Sequence, residues 1–215
     1  NQPLGARFAS LYLKLSDGYE DGTVYGYYNI PKLFGLQDTG SMESSGILQV
    51  RENPYLNLDG SGVLIGFVDT GIDYAGSIFL KQDGTTRVTA IWDQTIPAGS
   101  PIRLPAQPEL PETPENITRT PEGFLYGSEF THEQLNAAVK MADAYEGISS
   151  RDENGHGTFL ASIAAGNELP DGSFTGAAPK ADIAMVKLKP AKNRLRAYYQ
   201  IKEDAVAYQE NDIMA

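Results

Sequence analysis

Val63-Leu64-Ile65-Gly66-Phe67-Val68-Asp69-Thr70-Gly71-Ile72-Asp73 is the stretch whose reading decides the fold. Residues 63–68 do not alternate between apolar and polar, so they predict a central parallel strand buried on both faces. Asp69 stands at its C-terminal end, where ligands and catalytic groups gather in open α/β sheets, and Gly71 lets the chain turn sharply away. Residues 87–93 (RVTAIWD) and 182–188 (DIAMVKL) read as two further strands, again mostly buried, and the fold class predicted is α/β.

Asn154-Gly155-His156-Gly157-Thr158 opens a second apolar run, residues 159–165 (FLASIAA), which predicts a buried helix beginning at the histidine. A histidine between two glycines at a helix start can be approached closely by other backbone. If Asp69 accepts a hydrogen bond from one ring nitrogen of His156, it fixes the tautomer and stabilises the imidazolium. A helix N-terminus disfavours that cation, so a paired carboxylate would offset the cost. Plainer readings stand beside this one. An Asp before Thr-Gly is common in turns, Asp73 fits a turn-forming Asx residue, and His132 reads as a solvated residue of its helix's first turn.

The chain has 215 residues, enough for one α/β domain, or one domain and a short appendage. Hydrophobic residues make up 41% and charged residues 21%, as in a globular chain rather than a disordered one. No apolar run approaches the ~20 residues a membrane-spanning helix needs. The formal charge of −11 repels phosphate backbones and argues against nucleic acid as a partner. There is no cysteine and there are two histidines, His132 and His156, which excludes Cys-ligated zinc and multi-histidine metal sites. No dense acidic loop of EF-hand type is present, and no cofactor or metal ligand is assigned.

Residues 7–15 alternate as a strand would, with residues 24–28 as a partner, and residues 35–46 look like a polar, Gly/Ser-rich linker. Residues 97–121 hold seven of the thirteen prolines and predict an exposed, extended loop. Thr131-His132-Glu133-Gln134 fits a capping box, ahead of a helix burying Leu135, Val139 and Ala142. Tyr198, Ile201, Ala205 and Tyr208 recur at helical spacing and predict an amphipathic helix over residues 196–212.

The Asp69 and His156 segments resemble the Asp and His signatures of the subtilisin-like serine proteases, the subtilases. Gly176-Ala177-Ala178-Pro179 and the strand after it are similar to the segment that comes next in that family, and the order of Asp before His is the same. More finely, residues 46–50, 54–58, 87–94, 123–127 and 150–156 resemble the clostridial spore-germination Csp proteases and their relatives. The resemblance implies a parallel sheet between helices and a serine endopeptidase acting on peptides or proteins. Asp69 would orient His156, and His156 would serve as general base and then general acid. It also implies that residues 1–39 are the tail of a propeptide, that residues 40–215 begin the catalytic domain with 97–121 inserted, and that calcium is possible by analogy alone. A bacterial extracytoplasmic or spore-associated setting follows from the same likeness.

No Gly-Thr-Ser nucleophile motif occurs in the sequence. The chain starts at Asn1 and reads as a piece of a longer enzyme, inert alone, whose serine lies in a C-terminal half that would be its partner. The competing reading is a non-catalytic scaffold that keeps the fold and binds a partner.

Overall fold

The computed structural model describes residues 2–3, 9–10, 39–56, 58–105 and 117–214. The chain divides into two compact units, Asn1–Leu36 and Gln37–Ala215. In the first, β1 (Gln2–Pro3) pairs antiparallel with β2 (Ala9–Ser10). Of the strand expected over 7–15 only Ala9 and Ser10 are described, and its expected partner over 24–28 lies outside the described residues.

In the second unit the expected linker is helical where it is described. α1 (Thr39–Ser44) and α2 (Ile47–Arg51) meet at Gly46, whose left-handed φ of 80° lets one end and the other begin, and Met42 is buried. The four-stranded sheet that follows comprises β3 (Leu64–Asp69), β4 (Val88–Asp93), β5 (Ser128–Thr131) and β6 (Asp182–Lys187). Their order is β3-β6-β4-β5; β3, β6 and β4 run parallel, and β5 joins β4 antiparallel.

This order corrects the first expectation. Among the described residues the apolar strand before Asp69 is an edge, and the 182–188 strand is central. In-register pairing explains both faces of β3. Ile65 and Phe67 pair with Ile183 and Met185 and lean into the core, whereas Leu64 and Val68 turn the other way and are 60% and 46% exposed. The sequence of β3 is that of a strand covered on both faces, but among the described residues only one face is covered. Farther along the sheet, Trp92 shares the outer face with Val68 and is covered by Phe124 and Tyr126, with ring centroids 4.4 and 5.4 Å away.

The core gathers Val88, Ile91, Phe130, Ile183 and Met185 of the sheet against three helices, α3 (His132–Val139), α4 (Ala144–Gly147) and α5 (His156–Ala165). Thr131 and Gln134 form the capping box at the start of α3. That helix buries Leu135, Ala137 and Ala138; Val139 packs at the margin, and Ala142 lies beyond the helix and is exposed. Although α5 is apolar nearly all round, it buries only the small-residue stripe Gly157, Ala161 and Ala165, which lets it approach the sheet closely. Phe159, Leu160 and Ile163 stay 41%, 37% and 37% exposed, so the expectation of a buried helix holds for one face alone.

Buried Arg87 closes the far end of α5. Its guanidinium donates to the carbonyls of Ala181 at 2.6 Å, Ile78 at 3.2 Å and Ala165, and to Asn167 Oδ1 at 2.9 Å.

One other expectation changes. The single helix over 196–212 is replaced by α6 (Asn193–Tyr198) and α7 (Glu210–Ile213). Gln200 takes a left-handed φ of 54°, Arg196 Nη2 collects the carbonyls of Lys202, Glu203 and Ala205, and Ala191 N–H donates to Ala207 O at 2.8 Å. The backbone that a helix would have used internally is thereby committed elsewhere. In the proline-rich segment, Gly99 N–H donates to Thr118 O at 2.9 Å and Thr118 N–H to Ser100 O at 2.8 Å, while Ile102 and Thr118 are buried. Its two ends are thus tied to each other and anchored by two buried side chains, while most of their other described residues are exposed as expected; residues 106–116 lie outside the described residues. Among the described residues no helix is long and apolar enough to cross a membrane.

Candidate active site

β3 delivers Asp69 and α5 delivers His156 to one point. Asp69 Oδ1 lies 2.8 Å from His156 Nδ1 and also accepts the Thr70 N–H at 2.7 Å. An ionised carboxylate only accepts, so the imidazole donates through Nδ1–H, and in the neutral ring Nε2 carries the lone pair. The carboxylate is mostly sheltered at 15% exposure and the imidazole is 57% exposed. Among the described residues Nε2 has no partner, so a reacting group could reach it from solvent.

Two glycines make this approach possible. A Cβ on Gly157 would collide with the Gly71 carbonyl and sit 3.2 Å from Asp69 Cβ. Gly71 itself takes a φ of 129°, and a Cβ there would meet Arg151 O at 3.0 Å and Asp152 Cα at 3.2 Å. The turn after β3 and the first turn of α5 are therefore in backbone contact.

The segment that leads into His156 is anchored from below. Asp69, Lys187 and Asp93 are in register at the C-terminal ends of three neighbouring strands. Lys187 Nζ donates to Arg151 O and to Glu153 Oε2, both at 2.7 Å, and is 3.9 Å from Asp93 Oδ2. Fully buried Asp93 accepts the Ser150 hydroxyl at 2.7 Å, so its charge is offset by hydrogen bonds and a nearby ammonium. A second brace runs through Tyr145, whose hydroxyl donates to Asp73 Oδ1 while Arg151 lies over its ring at 4.1 Å. Burial, and then the bond to Asp73, pushes the Tyr145 phenol up. Asp73 is thus tied to another segment through its side chain.

Tyr208 borders the same place: burial, followed by the charges of Asp69, Asp152 and Glu153, raises its phenol above the ordinary value. His132 stands apart. It is half-buried, with Nε2 3.0 Å from the Thr86 carbonyl, which replaces the expected solvated position with a structural bond. Among the described residues no group of three or more His, Asp or Glu side chains is placed to hold a metal ion.

Residues 60–214, which include both members of this pair, match the Subtilase family. The chain belongs to the subtilase family. It is similar to subtilisin-like protease SBT3.8 of Arabidopsis thaliana, 30% identical over 144 residues, covering 60% of this chain and 16% of that protein. Subtilisin-like protease SBT3.5 of the same plant is 28% identical over 193 residues, covering 84% of this chain and 22% of its own length. The structure of the Clostridium perfringens CspB protease superposes with a TM-score of 0.57 at 28% identity, over 82% of this chain and 29% of that one. This subtilase chain spans less than a quarter of the two plant relatives, 16% and 22%. The sheet, parallel apart from β5 and flanked by helices, is that of the subtilisin-like α/β fold.

The sequence motifs of the subtilase family point to Asp69 and His156, but sequence reasoning missed Lys187, Ser150, Asp152, Thr70, Thr158 and Tyr208. Apart from the Asp152 bonds to Asn154, Gly155 and Thr158, their side-chain contacts join segments far apart in the chain. The one local signal was an Asp four residues before the histidine, the placement of a side chain that can bond the open N–H groups of a helix start. The contact at Gly157 has a measurable consequence. In the longer protein expected above, Gly157→Ala should force α5 off the Asp69 turn and cost about 1–3 kcal/mol as an overpacked site, read as a lowered Tm. A thermal melt unchanged by the substitution would show that the two backbones can part freely.

Proposed function

We propose that the chain supplies the Asp–His part of a subtilisin-type serine endopeptidase, and that the nucleophilic serine belongs to a part of the protein outside residues 1–215. One observation carries this: His156 Nδ1 is bound to a sheltered carboxylate at 2.8 Å while Nε2 stays open to solvent. In that state His156 can take the proton of a serine hydroxyl as it attacks the scissile carbonyl, then return it to the leaving amine. Asp69 holds the tautomer and stabilises the imidazolium between those steps. On this reading peptides or proteins are the substrates, residues 1–39 correspond to the tail of a propeptide, and residues 40–215 begin the catalytic domain.

Activity-based labelling tests the assignment. A fluorophosphonate probe is expected to label the longer protein on a serine beyond residue 215, to lose that labelling in His156→Ala, and to leave residues 1–215 alone unmarked. A longer protein that takes no label at all would favour a binding scaffold built on the subtilase fold.

A further inference from the structure

The turn after β3 and the start of α5 are cross-braced by two threonines, each answering to the other's motif. Thr70 Oγ1 accepts the Gly157 N–H at 2.9 Å, and Thr158 Oγ1 accepts the Asp73 N–H at 3.0 Å. Both hydroxyls then give their single proton to one carboxylate. Thr70 Oγ1 donates to Asp152 Oδ1 and Thr158 Oγ1 to Asp152 Oδ2, each at 2.7 Å. The same side chain accepts the N–H groups of Gly155 and Thr158 at 2.9 Å and of Asn154 at 3.3 Å. Asp152 makes no hydrogen bond to Asp69 or His156, yet through these bonds it holds the backbone on both sides of the histidine.

From this we propose that Asp152 is the positioning residue of the pair, setting the direction of both threonine hydroxyls and so locking His156 against Asp69. The proposal rests on the reading of Asp69 and His156 as a catalytic pair. Its physical basis is that a carboxylate has no proton to donate. A hydroxyl that must give its proton to Asp152 presents its lone pairs elsewhere, and for each threonine a backbone N–H of the opposite motif stands there. The ionised form is the one the site holds. Burial pushes the Asp152 carboxyl up, but the bonds from Thr158, Thr70 and Gly155 outweigh it and bring the group below its ordinary 3.8. Asparagine has the same shape but turns one oxygen into a donor. The threonine facing that nitrogen must turn its proton away, and the backbone N–H groups that the replaced oxygen accepted, Thr158 on one side or Gly155 and Asn154 on the other, lose their acceptor beside the histidine.

The test is made in the longer protein that carries the serine, measuring kcat and KM separately on a peptide substrate, with the low-field NMR resonance of the His156 Nδ1 proton as a second readout. Asp152→Asn is expected to lower kcat by about 10- to 100-fold, the scale set by sub-ångström to 1 Å misplacement. KM should stay within about twofold, because nothing that binds substrate is removed, and the low-field resonance should shift or broaden. Thr158→Val should reproduce this, and Thr158→Ser, which keeps the hydroxyl, should restore kcat to within about threefold of the parent. If Asp152→Asn does not fold, the threonine pair decides. Folded Asp152→Asn or Thr158→Val protein with parental kcat and an unmoved resonance overturns the role of Asp152 alone. Parental kcat in His156→Ala overturns the catalytic pair, and the positioning role with it.

Discussion

His156→Ala in the longer, serine-bearing protein proposed above is expected to lower kcat by about 10⁶, and Asp69→Ala by about 10⁴, with KM little changed; both magnitudes are those of subtilisin, the namesake of the family. The asymmetry has a structural cause. Without the imidazole nothing takes the serine proton, whereas without the carboxylate the imidazole remains and loses its fixed tautomer and the stabilisation of its charged form. Groups that act as a unit are not additive. The double variant should therefore be no slower than His156→Ala alone, because on the proposed mechanism Asp69 acts only through the ring it holds at 2.8 Å. Steady-state kinetics on a peptide substrate check all three. An Asp69 effect that persists in full on the His156→Ala background would mean that the carboxylate acts by another route.

The second large effect concerns stability. β3 is an edge strand with Leu64 and Val68 exposed on its outer face, and α5 shows Phe159, Leu160 and Ile163 to solvent. Covering roughly 400 Å² of such surface at ~25 cal/mol per Å² is worth ~10 kcal/mol gross, comparable with the whole net stability of an ordinary domain, about 5–15 kcal/mol. The unpaired edge adds a row of backbone donors and acceptors open to another strand. Residues 1–215 alone are therefore expected to self-associate and to melt without a cooperative transition. The chain extended through its serine-bearing part should melt as a single unit. A monodisperse monomer of residues 1–215 with a sharp calorimetric transition would show that these surfaces need no cover, and would remove the stability argument for a C-terminal partner.

Some of this protein could be read from residues in order. Asp69 at the end of an apolar run and His156 between two glycines are local patterns: each states where a strand ends or a helix begins, and small residues beside each announce close backbone approach. The α3 capping box is of the same kind, since Thr131 and Gln134 complete it within one turn. Sheet order is another matter. Apolarity on both faces tells what β3 is suited to bury, not which strands lie beside it, so an edge strand carries the composition of a central one. The helical spacing of Tyr198, Ile201, Ala205 and Tyr208 was outweighed by Arg196 drawing in three carbonyls and by residues 205–208 turning back along residues 190 and 191. Asp152 shows most plainly what tertiary structure alone decided. Its partners Thr70 and Thr158 stand 82 and 6 residues away, on opposite sides of it in sequence. Local sequence determines which groups can donate and accept; only the folding of β3 against α5 decides that two threonines from separate motifs point their protons at the same carboxylate.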